Sequence, residues 1–146
     1  MSGSAARGVQ RIAVPFSDLA SGERAVAALL REARGQEGDI EVELVALVDP
    51  LRSGKVGIFV SEQRARREAR AAGTAWIETL AAQLAGRGIP CRASVVLGPI
   101  AAGLRTLGAR ADLARIVVAA LPGGAWRHWP RRLALHAAVR PVTVVS

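Results

Sequence analysis

IAVPFSDLASGERAVAAL, Ile12 to Leu29, is the stretch whose reading decides the fold. With Arg11 it opens as a short apolar run that ends at Ser17 and Asp18, the pattern of a buried strand entering a loop. From Ser21 the period changes. Ala25, Leu29, Leu30 and Ala33 recur at helical spacing, with Ser21 read as the N-cap, Glu23 in the positive first turn and Gly35 as the stop. Strand, loop and helix in that order begin a parallel βαβ unit.

The same alternation continues in both directions from this segment. Glu41 to Val48 (EVELVALV) starts with apolar and polar residues alternating and becomes continuously apolar, as a strand buried on both faces does. Asp49 to Val60 carries Pro50, Gly54 and Gly57 without a sustained period and reads as a connection. A long helix is predicted from Ser61 to about Leu84, with Trp76, Ile77, Leu80 and Leu84 on one face and Arg64, Arg67 and Glu68 on the other, closed by Gly86 and Gly88. Further strands are predicted at Cys91 to Leu97, Ile116 to Leu121 and Val142 to Val145, with a short helix from Ile100 to Ala111 and a partly helical stretch from Trp126 to Ala138. The fold class is therefore α/β: a doubly wound, five-stranded parallel sheet with helices on both faces. In such sheets ligands sit beyond the carboxyl ends of the strands, which points to the loops after Phe16, Val48 and Leu121.

Size and composition fit one domain. The chain has 146 residues, 51% of them hydrophobic and 22% charged, enough apolar material for a single core. Residues 1–10 are small and polar and read as a tail, leaving 11–146 as the domain. That tail has no apolar stretch of the signal-peptide kind, and the longest uncharged runs fall short of a membrane span. The single cysteine, Cys91, excludes an intramolecular disulfide framework and a cysteine-built zinc site. A cytoplasmic protein is expected.

The formal net charge is +8, and 19 of the 20 basic residues are arginine. Residues 91–146 hold eight arginines against one acid, Asp112, and so carry seven of those eight net charges. An excess of this kind attracts anions. With aromatic residues at only 3% and no tyrosine, however, base stacking has few platforms, and nucleic-acid or other polyanion binding ranks below the other readings.

Several strings in order resemble the universal stress protein family: Ile12 to Leu29; VVLGPIAAGLRTLGARADLARIVVAA, Val95 to Ala120; and RPVTVVS, Arg140 to Ser146. The resemblance spans the chain from Arg11, with Asp49 to Glu62 the least matched. It implies a parallel five-stranded sheet and a homodimer through the last strand, whose apolar residues here are Val142, Val144 and Val145. Many members of that family bind ATP through an acidic residue after the first strand and a loop G-x2-G-x9-G-[ST] after the fourth. Glycines in such a loop let backbone N–H groups approach phosphate.

This sequence departs from that loop. Ser17 stands where the aspartate is usual, with Asp18 adjacent; Ala119 replaces the first loop glycine; and no glycine follows Gly124, so the terminal Gly-Ser pair falls near His128 and Trp129. Two readings follow. In the first, the chain is a regulatory or interaction module with an unknown protein partner, no cofactor and no enzymatic activity. In the second, ATP or AMP sits in a divergent cleft built from Pro15, Phe16, Ser17, Asp18, Ala119, Gly123, Gly124 and Arg127, with arginine replacing lost backbone donors.

Signals for other chemistry are sparse. His128 and His136 have no carboxylate or cysteine near them in sequence, there is no H-E-x-x-H or G-x-S-x-G string, and a metal role is not expected. Trp126 and Trp129 are spaced for a shared helical face at a core or dimer contact. Cys91 reads as a small buried residue, and Arg64, Arg66, Arg67 and Arg70 as a solvated helix face.

Overall fold

A computed structural model of the chain describes residues 8–50, 61–119 and 142–145. Five strands form one parallel sheet: β1 (Gln10–Phe16), β2 (Ile40–Val48), β3 (Cys91–Leu97), β4 (Arg115–Ala119) and β5 (Val142–Val145). Among the described residues three α-helices accompany them, α1 (Leu19–Glu32), α2 (Glu62–Ala85) and α3 (Ile100–Gly108), with a 3-10 turn at Glu37–Asp39. The spatial order is β3-β2-β1-β4-β5, the doubly wound arrangement expected from the alternating pattern. Winding reverses between β1 and β4.

The alternation of each strand assigns its side chains to two apolar layers. Ile12, Val14 and Phe16 of β1, Val42, Leu44 and Ala46 of β2, and Val117 and Ala119 of β4 meet Ala25, Val26 and Leu29 of α1 and Leu80 and Leu84 of α2. Ala13, Val45, Leu47, Ile116 and Val118 point the other way and meet Leu104 and Leu107 of α3, with Leu113. Three glycines let the layers close. A Cβ on Gly22 of α1 would stand 2.7 Å from Leu80 and 3.1 Å from the Phe16 ring; one on Gly73 of α2 would stand 2.9 Å from Val95; one on Gly103 of α3 would stand 2.8 Å from Leu47.

Charges close the rest of the α3 face. There, at the amino ends of the strands, Arg92, Glu41, Arg11, Asp112, Arg110 and Glu43 form an unbroken chain of ion pairs. Arg110 grips Glu43 with both terminal nitrogens and Asp112 through Nε at 3.0 Å, while Arg11 donates to Asp112 at 2.8 Å. Arg11 Nε also faces Glu41 Oε1 at 3.4 Å, close enough for an ion pair but without a hydrogen bond. Hydrogen bonds from Arg110 and Arg11 hold the Asp112 carboxyl well below the usual carboxylate range. On the opposite face Arg115 binds Glu32 through two bonds of 2.6 Å, tying the start of β4 to the end of α1.

Three local expectations are corrected. Asp18, not Ser21, caps α1: its carboxylate accepts from the Ser21 N–H at 2.7 Å, and Ser21 lies buried inside the first turn. A carboxylate is the stronger acceptor at a helix's positive end, so the helix starts three residues earlier and Glu23 falls beyond its first turn. The helix α3 stops at Gly108 rather than Ala111, because Arg110 leaves the helical path to reach Glu43 and Asp112. β3 lies at a sheet edge with Arg92, Ala93, Ser94 and Val96 exposed. Cys91 is half-buried; loss of hydration pushes its thiol pKa up, partly offset by a backbone hydrogen bond from Leu44.

Candidate functional site

The carboxyl edge of the sheet between β1 and β4 is the candidate site, because the winding reverses there. Pro15 and Phe16 end β1, both buried, and Ala119 ends β4, 3% exposed. Ser17 and Asp18 follow Phe16, half-buried, and lead directly into α1. The sheet thus brings Pro15, Phe16, Ser17, Asp18 and Ala119 to one edge, while Gly123, Gly124 and Arg127 lie outside the described residues.

Local chemistry at this edge is dominated by the start of α1. Asp18 is extended, with φ −153° and ψ 164°, so its side chain folds back over the first turn. Its carboxylate accepts from Ser21 N–H, its carbonyl accepts from Gly22 N–H at 3.2 Å, and the Ser21 hydroxyl donates to that same carbonyl at 3.1 Å. The hydroxyl is thereby buried and committed. The second reversal at this edge, after β3, uses Gly98 with φ +136°, whose N–H donates to the Val48 carbonyl at 3.1 Å and ties the ends of β2 and β3.

Beneath the edge lies an aromatic floor. Phe16 and Trp76 stand with ring centroids 6.4 Å apart and planes tilted by 58°, a favourable edge-on arrangement. Gly22 and Leu80 pack on the same Phe16 ring and α2 surface. Helical spacing marks Trp76 as facing the core, but nothing in the sequence brings it to Phe16, 60 positions away. Among the described residues no group of three or more histidine, cysteine, aspartate or glutamate side chains is placed to hold a metal ion, and no helix is long and apolar enough to cross a membrane.

The predicted dimer strand is placed as well. β5 forms the sheet edge beside β4, with Val142 paired to Ile116 and Val144 to Val118. Val144 is 47% exposed, and Val145 packs against the α1/α2 core layer.

Among solved structures, a universal stress protein family member from Burkholderia pseudomallei superposes with a TM-score of 0.68 at 19% identity, over 93% of this chain and 95% of that one. The chain has the fold of the universal stress proteins. A family member from Arabidopsis thaliana with AMP bound matches at TM-score 0.62 and 16% identity, covering 93% of this chain and 90% of that one. A universal stress protein in complex with cAMP matches at TM-score 0.62 and 18% identity, covering 94% and 97%. No protein-family model matches the chain, and no curated protein matches its sequence. The universal-stress-protein fold thus rests on three-dimensional likeness and on the ordered strings from Ile12, Val95 and Arg140.

Proposed function

We propose that the chain is a non-enzymatic regulatory module of the universal-stress-protein type, cytoplasmic and homodimeric, that does not hold ATP in the manner of the family's glycine loop. One observation carries this reading: the acidic residue beside the end of β1, Asp18, spends its carboxylate on capping α1. The sequence supports it, because no glycine follows Gly124 and side chains at the later loop positions keep phosphate away from backbone N–H groups. The second reading is a nucleotide cleft for AMP or ATP at the carboxyl edge, with Arg127 supplying charge. It is favoured by the AMP and cAMP recorded in two proteins of the same fold.

Titration by calorimetry and thermal shift with ATP, AMP and inorganic phosphate, at two salt concentrations, separates them. A ligand bound only to the folded chain raises its melting temperature with its affinity, and a screened surface contact fades with salt. The first reading expects no salt-resistant shift with any of the three. A micromolar dissociation constant for AMP or ATP at physiological salt establishes the second reading and overturns the first.

The homodimer joins through β5, whose outer edge pairs with no other strand among the described residues and whose Val144 offers apolar surface with no lysine or acid to blunt pairing. Replacing Val144 with lysine lowers the mass seen by light scattering while circular dichroism stays unchanged. A wild-type monomer at high micromolar concentration overturns the dimer.

A further inference from the structure

The sheet has a second free edge, and its chemistry differs from that of β5. In the β2–β3 ladder Val42 N–H donates to the Pro90 carbonyl and Gly98 N–H to the Val48 carbonyl, with unbroken register from Val42↔Cys91 to Val48↔Leu97. Even-numbered residues of β3 therefore turn their backbone groups toward β2. The N–H and C=O groups of Ala93 and Val95 face outward, and among the described residues nothing pairs with them. The strand has no proline, lysine or bulge to protect this edge, and Ala93 and Ser94 are small and exposed.

Arginines border it. Gly73 of α2 packs on Val95 of β3, and Arg66 and Arg70, seven and three residues earlier, lie on the same stripe of the helix. Because α2 runs opposite to β3, that stripe extends about 10 Å from Gly73 toward the carboxyl end of the strand. Arg66, Arg67 and Arg70 are exposed and make no ion pair among the described residues, whereas Arg64 is held by Glu68 at 3.2 Å. They occupy the second and third turns of a 24-residue helix.

We propose that the outer edge of β3, with Arg66, Arg67 and Arg70 of α2 toward its carboxyl end, is a strand-addition site for an extended acidic segment of another protein. The inference deepens the interaction-module reading and rests on it for its biological use. A peptide backbone matches the alternating donors and acceptors of Ala93 and Val95, and carboxylates on every second residue meet the arginine stripe in bidentate geometry. Nucleic acid matches the edge less well, since its phosphates offer acceptors only. A second copy of the chain brings a further net charge of +8 to a basic border, whereas an acidic segment complements it.

The test uses the full chain and a fluorescein-labelled peptide alternating threonine and glutamate, with a threonine–lysine counterpart, read by anisotropy and by amide hydrogen exchange. The acidic peptide is expected to bind and to slow exchange at Ala93 and Val95, and the R66E/R70E double substitution to weaken binding by about tenfold or more. Ala93→Pro is expected to abolish binding with circular dichroism intact, because the N–H it removes bonds to nothing in the sheet. Equal binding of the basic peptide, unchanged exchange at Ala93 and Val95, or wild-type affinity in R66E/R70E overturns the proposal. So does self-association that Ala93→Pro removes, which assigns the edge to a second copy, or displacement of the peptide by duplex DNA with Ala93→Pro still binding the DNA. None of these readouts depends on nucleotide titration or on Val144, so the site and the broader reading fail separately.

Discussion

On the face covered by α1 and α2, the buried side chains of β1 and β2 are apolar from Ile12 to Phe16 and from Val42 to Ala46, whereas on the α3 face the apolar stretch gives way to Arg11, Glu41 and Glu43. Helix length accounts for the contrast. At about 1.5 Å per residue the 24 residues of α2 span a whole strand, while the nine residues of α3 cover little more than half of one. Where α3 runs out, the strand positions stay partly wet, and charge is tolerable if every charge has a partner. Removing material from the dry face should therefore cost most, and removing charge from the wet half less.

The largest effect is expected for Leu80→Ala. Leu80 is fully buried between Gly22 and the core layer, so truncation loses its transfer energy and leaves a cavity, about 3 kcal/mol by urea denaturation. A cost under 1 kcal/mol would show that α2 shifts freely on the sheet and would break the contrast between the faces.

Gly22→Ala tests the same layer from the opposite direction. The added Cβ must displace Leu80 and press on Phe16, both enclosed, so overpacking is expected to cost about 2 kcal/mol despite alanine's better helix propensity. A stabilised Gly22→Ala variant would mean that the helix α1 can rise from the sheet without penalty. The change also perturbs the Phe16–Trp76 floor, so a red-shifted Trp76 emission should accompany it.

The wet half is probed by an unequal pair. Arg110→Ala strips Glu43 of its hydrogen bonds, while Asp112 keeps Arg11, and is expected to cost about 1.5 kcal/mol, whereas Glu43→Leu leaves Arg110 its bonds to Asp112 and is expected to be nearly neutral. Equal costs for the two would place the stability in the pair itself rather than in the burden of an unpartnered carboxylate.

These pairs mark the limit of what the chain's text discloses. Strand and helix order was legible because β1, β2 and β4 are apolar runs between helical periods, and the carboxyl edge followed from it. Glu41 to Val48 reads as a strand buried on both faces, whereas Glu41 and Glu43 are only half-buried on the α3 face. Their partners were not legible: Glu43 meets Arg110 67 positions away and Arg11 meets Asp112 across 101, which no local period encodes. Ser21 was misread as a cap because serine and aspartate are both good caps three residues apart, and only backbone geometry chooses. The apolar run of Val95, Val96 and Leu97 does not disclose that β3 lies at the sheet edge, which leaves Val96 37% exposed. Of the candidate cleft residues, Pro15, Phe16, Ser17, Asp18 and Ala119 lie at one edge of the sheet because each sits at or just past a strand end, and Gly123, Gly124 and Arg127 lie outside the described residues.

The smallest expected effect concerns acid. Hydrogen bonds from Arg110 and Arg11 depress the Asp112 carboxyl, and Arg115 depresses Glu32. A carboxyl whose folded pKa lies below its unfolded value binds its proton more readily when unfolded, so the folded state is favoured wherever the group is ionised in both states. That contribution is complete above the unfolded values, about 4 for both residue types, and is lost as pH falls through the folded ones. Stability should therefore be level between about pH 5 and 8 with respect to these groups, and decline below about pH 4. The Asp112→Asn variant removes one proton site from that slope, so its urea midpoint should fall less steeply than the wild type's between pH 4.5 and pH 2.5, with the two curves converging in acid. Both partners of Asp112 are solvent-accessible enough for salt to screen them, so the gap at neutral pH should also narrow as ionic strength rises. Parallel acid slopes would show that the charge chain on the wet half contributes nothing to stability.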